Sequence, residues 1–115
     1  MSTVLQIYEA IDRLAPFFLS MDFDNTGILV GDRQKKVERA LLALDCTKEV
    51  LRQAKELGAQ LIITHHPIIF HPIKRVNEDS LVYHLLRSDI AVISAHTNLD
   101  IAQGGVNDLL AKRIG

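Results

Sequence analysis

The sequence has little cysteine and no excess of charge of either sign, and both features narrow the classes of protein to which it can belong. Cys46 is the only cysteine in 115 residues, so no disulfide can form within the chain. We interpret it as a small hydrophobic residue with no catalytic role. The 13 basic and 14 acidic residues leave a formal charge of −1, and the densest basic cluster, at 32–36, is typical of a solvated turn. Direct binding of nucleic acid by this part is therefore not expected.

Long apolar runs and flexible linkers are also absent. No apolar stretch approaches the ~18 residues of a membrane span. The first 16 residues carry acidic side chains with a helical period, which is not the pattern of a signal peptide. The sequence therefore predicts a cytoplasmic chain without a membrane segment, and residues 1–115 are expected to form one domain.

What the sequence does contain is an alternation of amphipathic helices and short apolar runs. A capping box of Thr3 and Gln6 begins the first helix, and Pro16 marks its end. Later helices are expected to be capped at Thr47 and at Asn77, and a fourth is expected within 104–115. The residues predicted to face the core are Val4, Ile7, Ile11, Leu14, Val50, Leu51, Ala54, Leu57, Leu81, Val82, Leu85, Val106, Leu109 and Leu110.

Three continuous apolar runs, at 40–44, 61–63 and 90–95, alternate with these helices. Strands that are apolar throughout indicate a sheet covered on both faces, and successive crossovers make such strands parallel. The sequence predicts an α/β fold in which a sheet of at least three parallel strands lies between helical layers.

Polar side chains follow these runs at the points where the predicted strands end. Asp45 follows the first, His65 and His66 follow the second, and His96 and Asp100 follow the third. Because ligands bind outside the carboxyl ends of such strands, we expect these groups to meet at one edge of the sheet. Imidazole and carboxylate ligands suit Zn, Fe, Mn, Co or Ni.

The two adjacent histidines can be read in two ways. Neighbouring residues of an extended chain point to opposite sides, so His65 and His66 would each serve one of two ions, bridged by Asp100. Pro67 would keep His66 extended and reduce the entropy lost on ordering the ligands. The alternative is that both are hydrogen-bonded loop histidines. Asp45 is expected to be a turn former or an orienter of a ligand.

The remaining polar residues near these motifs are assigned structural roles. His71 and His84 are expected to be structural, with His84 at the surface of a helix or its boundary. Thr97 and Asn98 are expected to form hydrogen bonds within a loop.

Three motifs together strongly resemble the Nif-three-like family, known in bacteria as type-two GTP cyclohydrolase I homologues. They are "DNTGILVGD", "ITHHPIIFHPIKRV" and "SAHTNLDIAQGGVND", in the family's order and spacing. The resemblance implies that His65, His66 and Asp100 bind a centre of two divalent metal ions. It also implies a metal-dependent hydrolase with a small-molecule, nucleotide-type substrate, in which His96 orients the substrate or a ligand.

The sequence departs from the family pattern in two places. The family's H-x-x-x-E motif, which would supply a further histidine and glutamate ligand, is absent, and "DFDN" at 22–25 replaces the usual tryptophan before Asp-Asn. We therefore expect residues 1–115 to be the amino-terminal part of a longer member, one that binds metal weakly unless another subunit contributes. Its expected partner is a further copy of itself. The alternative function is a non-catalytic, metal-binding oligomeric or regulatory protein, this part being inactive.

Overall fold

The computed structural model describes residues 1–105, in which short strands and helices alternate. The strands are β1 (Ser2–Thr3), β2 (Gly27–Val30), β3 (Lys36–Val37), β4 (Ala40–Ala43), β5 (Leu61–Thr64) and β6 (Ala91–Ser94). The α-helices are α1 (Val4–Leu14), α2 (Lys48–Leu57), α3 (Leu81–Arg87) and α4 (Thr97–Ile101), and residues Phe17–Leu19 form a 3₁₀ turn.

The main sheet has the strand order β2-β6-β5-β4. Strands β4, β5 and β6 are parallel, as predicted, whereas β2 is antiparallel to β6 and was not assigned as a strand from the sequence. A separate small sheet pairs β1 with β3. The parallel register places Thr64 beside Ser94 at the carboxyl ends of β5 and β6, which is where the polar residues follow.

Alternate residues of the central strands pack against helices on opposite faces of the sheet. Ile62 and Val92 join Leu51, Ala54 and Leu85 in the core formed with α2 and α3. On the other face, Leu61, Ala91 and Ile93 pack with Val4 at the start of α1. The α/β fold with helices on both faces is therefore confirmed.

Local signals explain where two of the helices begin and end. Thr3 and Gln6 form the predicted capping box, and the N–H of Gln6 lies 3.2 Å from Thr3 Oγ1. The Thr47 hydroxyl accepts from the N–H of Val50, and α2 stops at Gly58, whose φ of 68° is a left-handed conformation.

The structure corrects the prediction for the start of the third helix. Helix α3 begins at Leu81, not directly after Asn77, because residues 77–80 close into a tight turn. In that turn the N–H of Ser80 donates to the Asn77 carbonyl over 2.8 Å, and the Asn77 side chain accepts from the N–H of Asp79.

Some leucines that the sequence pattern places inside the protein are exposed. Leu14 and Leu57 are the last residues of α1 and α2, and they are 79% and 52% exposed because the apolar stripe has turned away from the sheet there. Leu42, on edge strand β4, is 75% exposed, so this part of the sheet is covered on one face only.

Two further predictions concern the fourth helix and membrane-spanning segments. The fourth predicted helix, within 104–115, lies for the most part outside the described residues. None of the helices in the described part is long and apolar enough to span a membrane.

Candidate metal centre

The parallel pairing of β5 and β6 brings the adjacent His65 and His66 together with His96, which is 30 residues further along the chain. The ring of His96 lies 5.0 Å from that of His65 and 5.5 Å from that of His66, centroid to centroid. Each ring offers one nitrogen that lies within 4.8 Å of the nitrogens offered by the other two. Among residues 1–105, this cluster has the composition and spacing of a site for a metal ion.

The expectation that His65 and His66 point to opposite sides is wrong. Their ring centroids are 5.4 Å apart, so both imidazoles face the same space. The reason is that β5 ends at Thr64 and the backbone bends at the next two residues, so the alternation of an extended strand no longer applies. The two side chains can therefore contribute to the same ion or to neighbouring ions.

In each of the three imidazoles, Nδ1 contacts an oxygen that can only accept. His65 Nδ1 lies 2.8 Å from the Ala95 carbonyl, His66 Nδ1 lies 2.8 Å from the Asp45 carboxylate, and His96 Nδ1 lies 3.2 Å from the Asp24 carboxylate. The proton must therefore be on Nδ1 in each case. In the neutral rings the lone pair is left on Nε2, which is the arrangement of a metal-ligating histidine.

Asp100 lies beside one of these nitrogens. Its Oδ1 is 3.4 Å from His65 Nε2, and both side chains are about one quarter exposed. Asp100 sits on α4, which begins directly after His96, and its N–H donates to the His96 carbonyl. The carboxylate thus lies at the edge of the imidazole cluster, next to His65.

Asp45 occupies the position expected of a residue that orients a ligand. It follows β4, and the adjacent backbone is tied to the site because the N–H of His66 donates to the Leu44 carbonyl over 3.0 Å. Asp45 and His66 are both about half exposed.

Asp24 is a site residue that the sequence reasoning missed. Its side chain is fully buried, and its Oδ2 accepts from the Thr97 N–H over 3.0 Å and from the Thr97 hydroxyl over 2.7 Å. Burial would raise the pKa of this carboxyl, but the hydrogen bonds from Thr97, His96 and the Asn25 N–H outweigh it and hold the pKa below its ordinary value. The segment "DFDN" reads as a turn, and only the tertiary structure places it against His96.

Buried hydrogen bonds hold the backbone under the cluster. The Thr64 hydroxyl donates to the His66 carbonyl over 2.9 Å, so the Ser94 hydroxyl, 2.7 Å away, donates to Thr64. Asn98 is also fully buried, and its side chain accepts from the His96 N–H and donates to the Ala15 carbonyl. Thr97 and Asn98 thus form hydrogen bonds, as predicted, but they do so from the first turn of helix α4 and not from a loop.

The remaining candidates lie apart from this cluster. His84 Nε2 is 2.7 Å from the Glu78 carbonyl, which ties α3 to the turn before it. His71 is exposed and lies against the ring of Phe70. Cys46 packs against the core, and burial raises the pKa of its thiol to about 11, so it is protonated at neutral pH.

The fold and the site together define a class: an α/β protein with histidines and carboxylates gathered at the carboxyl ends of parallel strands. Comparison with known protein families makes this specific, because residues 2–115 match the model of the Duf34/NIF3 family (NGG1p interacting factor 3). The chain belongs to this family, and the resemblance read from the three motifs is confirmed.

Individual relatives agree in sequence and in structure. The "GTP cyclohydrolase 1 type 2 homolog" of Clostridium perfringens is 46% identical over 113 residues, which are 95% of this chain and 43% of that protein. A crystal structure of a Bacillus cereus protein related to NIF3 superimposes with a TM-score of 0.90 at 41% identity, over 99% of this chain and 32% of that one. Reduced HcgD from Methanocaldococcus jannaschii gives a TM-score of 0.87 at 36% identity, over 96% and 46%. The chain spans less than half the length of each of these relatives.

Proposed function

We propose that the cluster at the carboxyl ends of β5 and β6 is a centre for divalent metal ions, with His65, His66 and Asp100 among its ligands. One observation carries this proposal: all three imidazoles of the cluster have Nδ1 bound to an acceptor, which leaves their Nε2 lone pairs available to an ion. Histidines with a purely structural role in a loop would not all need to carry the proton on Nδ1 and leave Nε2 free.

The donor set fits ions such as Zn, Fe, Mn, Co or Ni, which accept imidazole together with carboxylate. We propose two ions in the complete centre, which His65, His66 and Asp100 would help to hold. The position of Asp100 beside His65 supports this role, and the closeness of His65 to His66 allows each ring to serve either ion.

For the whole protein we propose a metal-dependent hydrolase acting on a small molecule, with a nucleotide as the first candidate. Bound divalent ions would supply a water of lowered pKa and polarise the group under attack. The chain's own contribution is to hold the ligands: Asp45, Asp24 and the Ala95 carbonyl fix the imidazole rings, and Asp100 adds negative charge. The names of the relatives support GTP as a substrate, and that support rests on the names alone.

Three further predictions from the sequence remain part of this proposal. They are a single domain over residues 1–115 that is the amino-terminal part of the molecule, assembly into a homo-oligomer, and a cytoplasmic location.

Metal binding is tested by the metal content of the chain after purification with each of the five metals. Inductively coupled plasma mass spectrometry should detect bound metal in the wild type and less bound metal in His65→Ala and in Asp100→Ala. His84→Ala is the matched control, because that histidine lies outside the cluster and should leave the metal content unchanged. Equal metal content in all four proteins would refute the centre.

Hydrolysis is tested separately, with a full-length family member shown to contain metal. We expect turnover of at least one purine nucleotide, detected by chromatography, and its loss in the variant equivalent to Asp100→Ala. Metal-loaded protein that converts none of the nucleotides would favour the alternative function, a non-catalytic metal-binding protein.

A further inference from the structure

Asp24 is the most completely buried charged group of the described chain that touches the candidate centre. Its side chain is 0% exposed, whereas the His96 side chain that it contacts is 25% exposed. A buried carboxylate is unfavourable unless hydrogen bonds compensate for the loss of water. Here the donors are the Thr97 N–H and hydroxyl, the Asn25 N–H, and Nδ1 of His96.

The contact with His96 has a chemical consequence that the other contacts lack. Both oxygens of Asp24 lie near His96 Nδ1, at 3.3 and 3.2 Å, and an ionised carboxylate can only accept. The ring is therefore held with its proton on Nδ1 and with Nε2 as the free acceptor. The same contact keeps the ring near His65 and His66, which are on another loop.

We propose that Asp24 is a positioning residue that makes His96 a nitrogen ligand of the centre through Nε2. This rests on the proposed metal site, and Asp24 itself would not touch the ion. Carboxylates bonded to the far nitrogen of a ligating histidine fix its orientation and increase its basicity. The loop at 21–26 would thus belong to the metal centre through the buried side chain of Asp24.

This assignment changes how well the chain alone can hold an ion. A firmly held catalytic zinc usually has three protein ligands. From the sequence, two imidazoles and one shared carboxylate implied weak binding. With His96 the described residues provide three imidazoles within reach of one another, and Asp100 beside them.

The first test reads the tautomer of His96 directly, without metal. Nitrogen-15 NMR of the metal-free chain at a pH where the imidazole is neutral should show the proton on Nδ1 of His96. In Asp24→Asn the amide N–H₂ can donate to Nδ1, so the proton should move to Nε2. Asp22→Asn, which removes an exposed carboxylate from the same loop, should keep the wild-type tautomer. A wild-type His96 that carries its proton on Nε2 would overturn the proposal, even if Asp24→Asn cannot be folded.

The second test measures Co²⁺ affinity by visible absorbance. Asp24→Asn should bind Co²⁺ about 10- to 100-fold more weakly than wild type, and Asp22→Asn should bind equally well. If Asp24 acts through His96, adding Asp24→Asn to His96→Ala should cause no further loss, because the contact is already gone. Thr97→Val, which removes the hydroxyl donor to Asp24 and keeps the N–H donor of residue 97, should lower the melting temperature but preserve the tautomer.

The outcomes distinguish a failure of the metal centre from a failure of the role proposed for Asp24. A wild-type chain that binds no Co²⁺ would overturn the metal centre itself. Wild-type binding with an unchanged tautomer and unchanged affinity in Asp24→Asn would overturn the role of Asp24 and leave the centre standing. Full additivity of Asp24→Asn and His96→Ala would also contradict the proposal.

Discussion

Asp45 and Asp24 each contact Nδ1 of a histidine in the cluster, but they differ in burial. This difference determines how much each should contribute to metal affinity. Asp45 is 56% exposed and can be replaced in part by water, whereas Asp24 is fully buried. An exposed ion pair contributes little because solvent screens it. The ring of His66 should therefore depend less on its carboxylate than the ring of His96 does.

Replacing Asp45 by asparagine should weaken metal binding modestly. We expect a loss of up to about 10-fold in Co²⁺ affinity, at the low end for residues that orient a ligand, because water can take over the contact to His66 Nδ1. Glu38→Gln, at another exposed carboxylate, is the control in the same Co²⁺ titration followed by visible absorbance. A loss as large as that of Asp24→Asn would show that burial does not decide the effect.

Cys46 should make the stability of the chain fall at alkaline pH. Burial raises the pKa of its thiol to about 11 in the folded state, above the value of about 8.5 expected in an unfolded chain. The unfolded state therefore loses this proton first, and the stabilisation is lost as the pH rises from about 8.5 to about 11. Urea unfolding across that range should show a steeper decline for wild type than for Cys46→Ala. Parallel declines would contradict a partly buried, protonated thiol.

At the scale of single residues, the sequence predicted which side chains would lie at the candidate centre but not which hydrogen bonds orient them. His65, His66 and Asp100 follow from strand ends and from the family motifs, and His65 and Asp100 do lie together. Asp24 could not be found in this way because it is 72 residues from His96 in the sequence and follows no predicted strand. The shared direction of His65 and His66 depends on a bend that begins where β5 ends, and apolar patterning does not locate that end.

At the level of the elements, two glycines have a left-handed backbone but differ in the space available to a side chain. Comparing them separates the cost of the backbone conformation from the cost of a steric overlap. Gly31 has a φ of +102°, and a Cβ there would lie 2.7 Å from Ala91 Cβ on the neighbouring strand. Gly58, at the end of α2, has a φ of +68°, and a Cβ there would meet its nearest atom, of Arg39, at 3.7 Å. Only Gly31 allows another strand to approach closely.

Gly31→Ala should therefore destabilise the fold more than Gly58→Ala. We expect Gly58→Ala to cost about 1 kcal/mol for the left-handed conformation, and Gly31→Ala to cost about 1–3 kcal/mol more because of the overlap with Ala91. Chemical denaturation of the two variants gives the difference directly. Equal costs would mean that β2 and β6 can move apart without penalty.

The N-cap of α2, Thr47, allows a second prediction about stability at the level of the elements. Thr47→Ala removes the acceptor for the Val50 N–H and should lower the free energy of unfolding by about 1 kcal/mol. Lys48→Ala, at the next position and exposed, is the control and should be close to neutral. A Thr47→Ala protein as stable as the control would show that water satisfies the helix end.

Helices α1 and α2 were predicted more accurately than the antiparallel strand β2 because their caps act locally. The capping box at Thr3 and the stop at Gly58 are determined by residues within one turn. Strand β2 pairs with β6 across more than 60 residues of sequence, and its apolar run is too short to distinguish a strand from a loop. The start of α3 was misplaced because Asn77 can cap a helix or close a turn, and here it closes a turn.

For the whole molecule, the exposed face of β4 bears on assembly. Leu42 and Leu44 are 75% and 61% exposed, at the edge of the main sheet. Exposed apolar side chains on an edge strand favour pairing with another chain. The predicted homo-oligomer would use this edge.

Leu42→Lys should therefore shift the chain towards the monomer. Sedimentation velocity over a range of concentrations should show association of the wild type and less association of the variant. Leu57→Lys, which places the same charge on another exposed leucine, should associate like the wild type. A wild type that sediments as a monomer at every concentration would contradict assembly through β4.

The account depends on the histidines of the cluster binding metal through Nε2, and crystals of the chain soaked in Co²⁺ test this most directly. Diffraction data collected at the cobalt absorption edge should give an anomalous peak about 2.0–2.2 Å from the Nε2 atoms of His65 or His66 and of His96, with Nδ1 still bound to oxygen. Crystals of His66→Ala should show a weakened peak or none. A cobalt ion bound away from these nitrogens, or coordination through Nδ1 in the wild type, would contradict the account.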